Sequence, residues 1–364
     1  MGRRPIASAV SHGGAPAGWL DAGVNLNPLG VPEPVGRALT AVRFDRYADL
    51  DPSAAERHLA ADAGVAPSRV VLTAGASEAL RLITTAVLRP GVRALIAGPT
   101  YGEYGRLAAR QGAEVVELRA MAPAFGPPID ALERELRRPG PAVAFLCDPN
   151  NPTGRALARE DLRRLVAAAG RPHGRHRLLV IDQSFGSFAC SRVPARELVA
   201  TGHVVLVRSL TKLLASPGIR VGYLIGAPRL LDQFRAIRDP WPVGSHAIAA
   251  ASAATWRLGP ADRWTIRGWR RALAAGLRWR GMRPIPSAAN FLLAEVGPEA
   301  GALVAAAARR RVGLRWCASF GLPEHIRVAV RPPAEQALLF EALDAVLPSL
   351  MGRPAGSGAD ARHS

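Results

Sequence analysis

The chain has 364 residues, 49% of them hydrophobic and 21% charged, a globular balance that excludes an intrinsically disordered protein. No uninterrupted apolar run reaches the roughly 18 residues of a membrane-crossing helix, and the three scattered cysteines, Cys147, Cys190 and Cys317, form neither a zinc-type spacing nor a disulfide framework. The net charge of +18 would suit nucleic acid, but the arginines are dispersed, their longest run is Arg309–Arg311, and no nucleic-acid-binding motif accompanies them. The charge therefore reads as an arginine-rich solvated surface, or as a match for an anionic small substrate.

At this length two domains are expected. The opening "MGRRPIASAVSHGG" lacks the apolar stretch of a secretory signal, so a reduced, cytoplasmic protein is expected. Residues 1–45 are rich in Gly and Pro and read as an arm packed on the second domain or on a partner subunit. From about 70 to 230, short β-rich runs alternate with amphipathic helices. "RVVLT" (69–73) leads into "GASEALRLITTAVL", "RALIAGP" (93–99) into "YGEYGRLAARQG", and "EVVEL" (114–118) and "PAVAFLCDP" (141–149) follow. After the helix "REDLRRLVAAAG" (159–170) come "RLLVIDQSF" (177–185), "HVVLVRS" (203–209) and "RVGYLIG" (220–226). Seven such runs separated by helices predict an α/β domain with a mainly parallel sheet over residues 46–245. Residues 246–351 read as a connecting helix and a small α+β unit built from "ANFLLAEV" (289–296), a helix near 298–310, "VGLRW" (312–316), "HIRVAVR" (325–331) and a helix near 334–347. Residues 352–364 read as a disordered tail.

Ligands of such sheets gather at the carboxyl ends of the strands, where Gly75 to Glu78, Tyr101, Asn151, Asp182 and Ser209 all fall. Just beyond lies the most informative residue. Of the 47 Lys and Arg residues, 46 are arginine and one is Lys212, in "SLTKLLASPGIRVGY". Arginine stays protonated and cannot act as an amine nucleophile, whereas a lysine can lose its proton when its surroundings depress its pKa. A single lysine in such a chain points to Schiff-base chemistry, with a chance survivor of an arginine-rich composition as the alternative.

The ordered set "GASE" (75–78), "PTYGEY" (99–104), "DPNNPTG" (148–154), "IDQSF" (181–185) and "SLTK" (209–212) with Arg220 closely resembles the fold-type I pyridoxal-phosphate enzymes of the class I/II aminotransferase family. Each motif alone also has a structural reading, as a turn or a helix start; their order and spacing carry the resemblance. It implies pyridoxal 5′-phosphate as cofactor, with Lys212 as Schiff-base residue and proton carrier. Asp182 would face the ring nitrogen and make the ring an electron sink. Asn151 would bond the ring hydroxyl and Tyr101 would stack on the ring. Ala76, Ser77, Ser209, Thr211 and Arg220 would cup the phosphate. Tyr47 matches a tyrosine that relatives lend to the neighbouring subunit, implying a homodimer with shared sites.

"HGG" (12–14), "LDAGVNLNPLGVP" (20–32), "DPWPV" (239–243) and "IRVAVRPPAEQALLFEAL" (326–343) are most similar to threonine-phosphate decarboxylases of cobalamin synthesis, close kin of histidinol-phosphate aminotransferases. That similarity implies Arg327 on the substrate carboxylate, with His12, Asn25 and Arg315 near the carboxylate or a distal phosphate. Phe185 stands where many aminotransferases have a ring-bonding tyrosine, as it does in the decarboxylase branch. Departures fall on the substrate side: a short segment between "HGG" and "LDAGV", Gln183 in place of an acid, and no asparagine near Gly244. Decarboxylation of a phosphorylated amino acid is thus the leading expectation. The alternatives are amino-group transfer of the histidinol-phosphate type, or a specialised-metabolite enzyme on this scaffold. From another class comes an aminotransferase-like regulator, which would carry a DNA-binding domain that this chain is not expected to have. The partners expected are a small amino acid and a second copy, with neither nucleic acid nor membrane.

Overall fold

Seven short apolar runs pair into one sheet in the computed structural model, which describes residues 14–49, 51–170, 177–189, 193–253 and 257–350. The strands are β1 (Val70–Thr73), β2 (Arg93–Gly98), β3 (Glu114–Arg119), β4 (Ala142–Cys147), β5 (Arg177–Asp182), β6 (Val204–Ser209) and β7 (Gly222–Ile225). Their order is β1-β7-β6-β5-β4-β2-β3. Within this sheet β7 runs against both neighbours, and the other pairs are parallel. The architecture is the mixed α/β, mostly parallel arrangement expected from the alternating pattern. β4 and β5 are buried along their whole length, whereas the edge strand β3 exposes Glu114, Glu117 and Arg119. Charges on an edge strand discourage pairing with another chain.

Side-chain alternation along each strand divides the core into two layers. Leu95, Ala144, Leu146, Leu179, Ile181, Val204 and Leu206 belong to one cluster, and Ile96, Val143, Phe145, Leu178, Val180, Val205 and Val207 to the other. Each such aliphatic side chain contributes about 1.5–3 kcal/mol when fully buried. The second layer packs against the helices Gly75–Val87 and Glu103–Arg110 through Leu80, Ile83, Tyr104 and Leu107. Continuing the parity by two residues puts Cys147, Asp182, Ser209 and Gly222 on that same face, at the strand ends where the chemistry was expected. Cys147 and Asp182 are register partners.

The second unit contains an antiparallel sheet of Arg315–Trp316, His325–Ala329, Phe291–Glu295 and Arg283–Pro284, in that order. The helices Pro260–Trp279, Ala300–Arg309 and Pro333–Leu350 accompany it. "VGLRW" does not form one continuous strand. Val312–Gly313 instead pairs, parallel, with Leu20–Asp21 of the N-terminal segment. That segment then crosses toward the lysine, where Asn27 donates its backbone N–H to Lys212 O and its side-chain amide to Leu213 O, both at 2.9 Å. A further helix, Ile129–Arg137, lies outside the sequence expectations and buries Ile129, Leu132 and Leu136. Among the described residues, no helix is long and apolar enough to cross a membrane.

Candidate active site

A cavity of about 340 Å³ opens at the carboxyl ends of β4, β5 and β6. It is lined from the sheet by Cys147, Asp182 and Ser209, from helices by Ser77 and Tyr104, from the loop before the second of these helices by Tyr101, and from the second unit by Arg327. Lys212 stands in the short helix Leu210–Leu213 that follows β6 directly. Its ammonium is poorly solvated and faces two guanidinium groups. Burial first, then Arg327 and Arg220, push its pKa down to about 8, with Asp21 opposing. At pH 7 roughly a tenth of Lys212 is therefore the neutral amine, far more than an ordinary lysine would offer.

Asp182 is the only carboxylate among the residues lining this cavity, and it is 4% exposed. Burial raises its pKa, while three donors favour the ionised form: the Ser184 side chain, the Tyr104 hydroxyl to Oδ2 at 2.7 Å and the Ser184 N–H to Oδ1 at 2.8 Å. Tyr101 forms an aromatic wall, edge-on to Tyr104 with ring centroids 5.6 Å apart. Burial pushes the Tyr101 phenol up to about 12, so it stays a neutral donor, with Ser77 as a hydrogen-bond partner.

At one end of the cavity the structure makes an anion cup. The helix Gly75–Val87 begins there, with the N–H groups of its first turn and the positive end of its dipole. Arg220, in the left-handed region at φ 55°, reaches back over Gly75, where an added Cβ would lie 2.8 Å from its Nη2. Gly222 is equally constrained, since a Cβ there would meet Arg208 O and Gly75 C at 2.8 Å and Ala76 N at 2.9 Å. Two glycines thus let strand, guanidinium and helix start converge. Ser77, Ser209 and Thr211 add hydroxyls, although Thr211 also donates to Val221 O at 3.2 Å. The geometry fits a phosphate in this cup, a planar aromatic ring against Tyr101, and a ring nitrogen at Asp182.

At the other end Arg327 is buried, donating from Nη1 to Asn151 Oδ1 at 2.5 Å and from Nη2 to Gly23 O at 2.8 Å. Its Nε and the nearby Asn25 Oδ1 are buried without a hydrogen-bond partner. Burial pushes the Arg327 pKa down to about 10. A buried cation with unused hydrogen-bonding capacity is costly unless an anion joins it.

The sequence-derived site set is brought together unevenly. Ala76, Ser77, Tyr101, Asn151, Asp182, Ser209, Thr211, Lys212, Arg220, Asn25 and Arg327 all line the cavity. Arg315 is not among the lining residues: it is the register partner of Arg327 on the neighbouring strand, but its guanidinium donates to Ser319 Oγ at 2.8 Å and lies over the Phe320 ring. Tyr47 is also absent from this chain's own cavity; it is 84% exposed and stacks on Trp241 at 4.8 Å. Asn151, expected to face a ring hydroxyl, has its carbonyl oxygen engaged by Arg327. His12 lies outside the described residues. Tyr104 was missed by sequence reasoning; its spacing of three from Tyr101 at a helix start was the available signal.

Comparison with known proteins agrees with this geometry. The family described as aminotransferase class I and II matches residues 20–346. Histidinol-phosphate aminotransferase of Symbiobacterium thermophilum is 33% identical over 331 residues, covering 89% of this chain and 89% of that protein. The crystal structure of histidinol-phosphate aminotransferase from Sinorhizobium meliloti, in complex with pyridoxal-5′-phosphate, superposes with a TM-score of 0.79 at 25% identity, covering 91% of each chain. L-threonine-O-3-phosphate decarboxylase from Porphyromonas gingivalis has a TM-score of 0.77 over 90% of this chain and 99% of that one, at 24% identity, a likeness of fold alone. The chain belongs to the class I and II aminotransferases, enzymes of fold type I that depend on pyridoxal phosphate.

Proposed function

We propose that this enzyme transfers an amino group between a small phosphate-bearing amine of the histidinol-phosphate type and a 2-oxo acid. The observation that carries this reading is the cavity's charge layout. Lys212, with its pKa lowered, stands between the anion cup at Arg220 and the buried Arg327, and Asp182 is the sole carboxylate among the described lining residues. Two separate cationic ends suit two anionic groups, the cofactor phosphate and an acidic group of the substrate. The relatives support this reading over the decarboxylase: histidinol-phosphate aminotransferases at 33% and 31% identity span about nine-tenths of the chain.

Pyridoxal phosphate supplies an electron sink that weakens the bonds at the substrate's amine-bearing carbon. In our reading the protein's own residues do the rest. Ala76, Ser77, Ser209, Thr211 and Arg220 hold the phosphate, Tyr101 packs on the ring, Asn151 bonds the ring oxygen, and Asp182 keeps the ring nitrogen protonated. Lys212 Nζ anchors the cofactor and then, freed as an amine of depressed pKa, carries the proton at the reacting carbon. Arg327, Asn25 and His12 orient the substrate's acidic group, and the position of Arg315 makes it a weaker candidate for contact. Residues 46–245 form the cofactor-bearing unit and 246–351 the unit that brings Arg327 over it. Tyr47, Phe44 and Trp241 form an aromatic patch that a single chain leaves in water, and a second copy would cover it and take Tyr47 into its site.

The test is product analysis. Histidinol phosphate with 2-oxoglutarate should yield glutamate in step with loss of the amine. Phosphothreonine releasing carbon dioxide, with 2-oxoglutarate untouched, would replace this reading with the decarboxylase, which the phenylalanine at position 185 favours.

A further inference from the structure

Behind Asp182 the structure holds a group that neither the motifs nor the anion cup require. Tyr104 is 1% exposed, in the first turn of the helix Glu103–Arg110, stacked on Phe145 of β4 with ring centroids 5.8 Å apart. Its hydroxyl sits where β4 and β5 end side by side, in hydrogen-bonding contact with the Cys147 thiol and donating to Asp182 Oδ2 at 2.7 Å. An apolar core would accept phenylalanine here without loss of packing, so the hydroxyl needs a separate reason. A buried phenol also needs an acceptor, and the acceptor it has is the only carboxylate among the described residues lining the site.

We propose that Tyr104 is a positioning residue for the reaction, acting through Asp182: its hydroxyl holds the carboxylate in the rotamer that faces the ring nitrogen and keeps it ionised there. The proposal rests on Asp182 being the ring-nitrogen partner. A carboxylate on a strand end has two soft torsions, and the second oxygen must be fixed if the first is to meet a donor squarely. Ser184 N–H binds Oδ1 and Tyr104 binds Oδ2, so the carboxyl plane is pinned from both sides. Together with the Ser184 side chain, these donors favour the anion and oppose the effect of burial. Tyr104 reaches the cavity wall with its ring 1% exposed and its hydroxyl engaged by Asp182 and Cys147, so its influence passes through Asp182.

Four proteins test this: the parent, Tyr104→Phe, Asp182→Asn and the double variant, each loaded with pyridoxal phosphate. Tyr104→Phe keeps the ring and its stacking on Phe145. It should lower kcat about tenfold, the usual worth of one hydrogen bond to a charged group, with KM within about twofold. It should also weaken cofactor affinity, followed by tryptophan fluorescence, and move the midpoint of the pH-dependent visible absorbance upward by about half a unit. In the Asp182→Asn background the same change should have no further effect on affinity or absorbance, because the group it acts through is gone. Equal effects of Tyr104→Phe in both backgrounds would make Tyr104 a packing residue and overturn the proposal. Full activity of Asp182→Asn alone would overturn it differently, by removing the role of Asp182 itself.

Discussion

Replacing Gly222 by alanine should loosen the phosphate cup without touching any side chain that binds the cofactor. Gly222 opens β7 with negative φ, so alanine meets no dihedral objection there. The obstacle is space: the new methyl would sit 2.8 Å from Arg208 O, 2.8 Å from Gly75 C and 2.9 Å from Ala76 N, all backbone atoms. Carbon contacts settle near 3.5–4.0 Å, so the helix start must retreat from the strand by roughly 0.5 Å or more. Overpacking of this kind costs about 1–3 kcal/mol. The retreat also carries away the amides at Ala76 and Ser77, so pyridoxal phosphate should bind about tenfold or more weakly. Thermal unfolding of the apoprotein and fluorescence titration with the cofactor measure the two effects. Gly105→Ala is the control: its methyl would meet only Val115 Cγ1 at 3.8 Å, within a helix that alanine favours. Parent-like melting and affinity in Gly222→Ala would refute this account of the cup.

Apoprotein at graded pH should bond pyridoxal phosphate at a rate that rises with pH and is half-maximal near 8, because only the neutral amine attacks and the Lys212 pKa is lowered; a midpoint near the ordinary 10.5 would contradict the site's electrostatics. Arg327→Lys should lower kcat/KM about a hundredfold, since lysine cannot reproduce two directed donors, while leaving cofactor affinity within about twofold. Unchanged kcat/KM would remove Arg327 from substrate binding. Mixing inactive Lys212→Ala chains with inactive Tyr47→Ala chains should restore part of the activity by leaving some shared sites intact, whereas sedimentation of an active monomer would exclude sharing.

Much of this was legible in the residues. Side-chain parity along β5 and β6 carries Asp182 and Ser209 onto the same face as Val180 and Val207, and the lone lysine follows at once. The reversed direction of β7 was not legible, because its pattern "GYLI" serves either direction equally; direction comes from the crossover preceding it. Tyr104 was hidden because its hydroxyl meets a carboxylate 78 residues away. Its place in "PTYGEY" also suits plain helix packing. Gly222 was equally silent, since the atoms that exclude a side chain belong to another strand and to the helix start at Gly75. Arg315 and Asn151 show the reverse case: family resemblance marked both, but the Ser319 and Phe320 contacts of one and the Arg327 contact of the other set what each one faces.

The most direct test of the account is covalent. Because Lys212 is the chain's single lysine, holoprotein treated with borohydride should gain one pyridoxyl-phosphate adduct, located by peptide mass spectrometry at Lys212. Lys212→Arg, which keeps the charge, should gain none and show neither visible absorbance from bound cofactor nor turnover. A Lys212→Arg protein with the parent's colour and turnover would contradict the account at its centre.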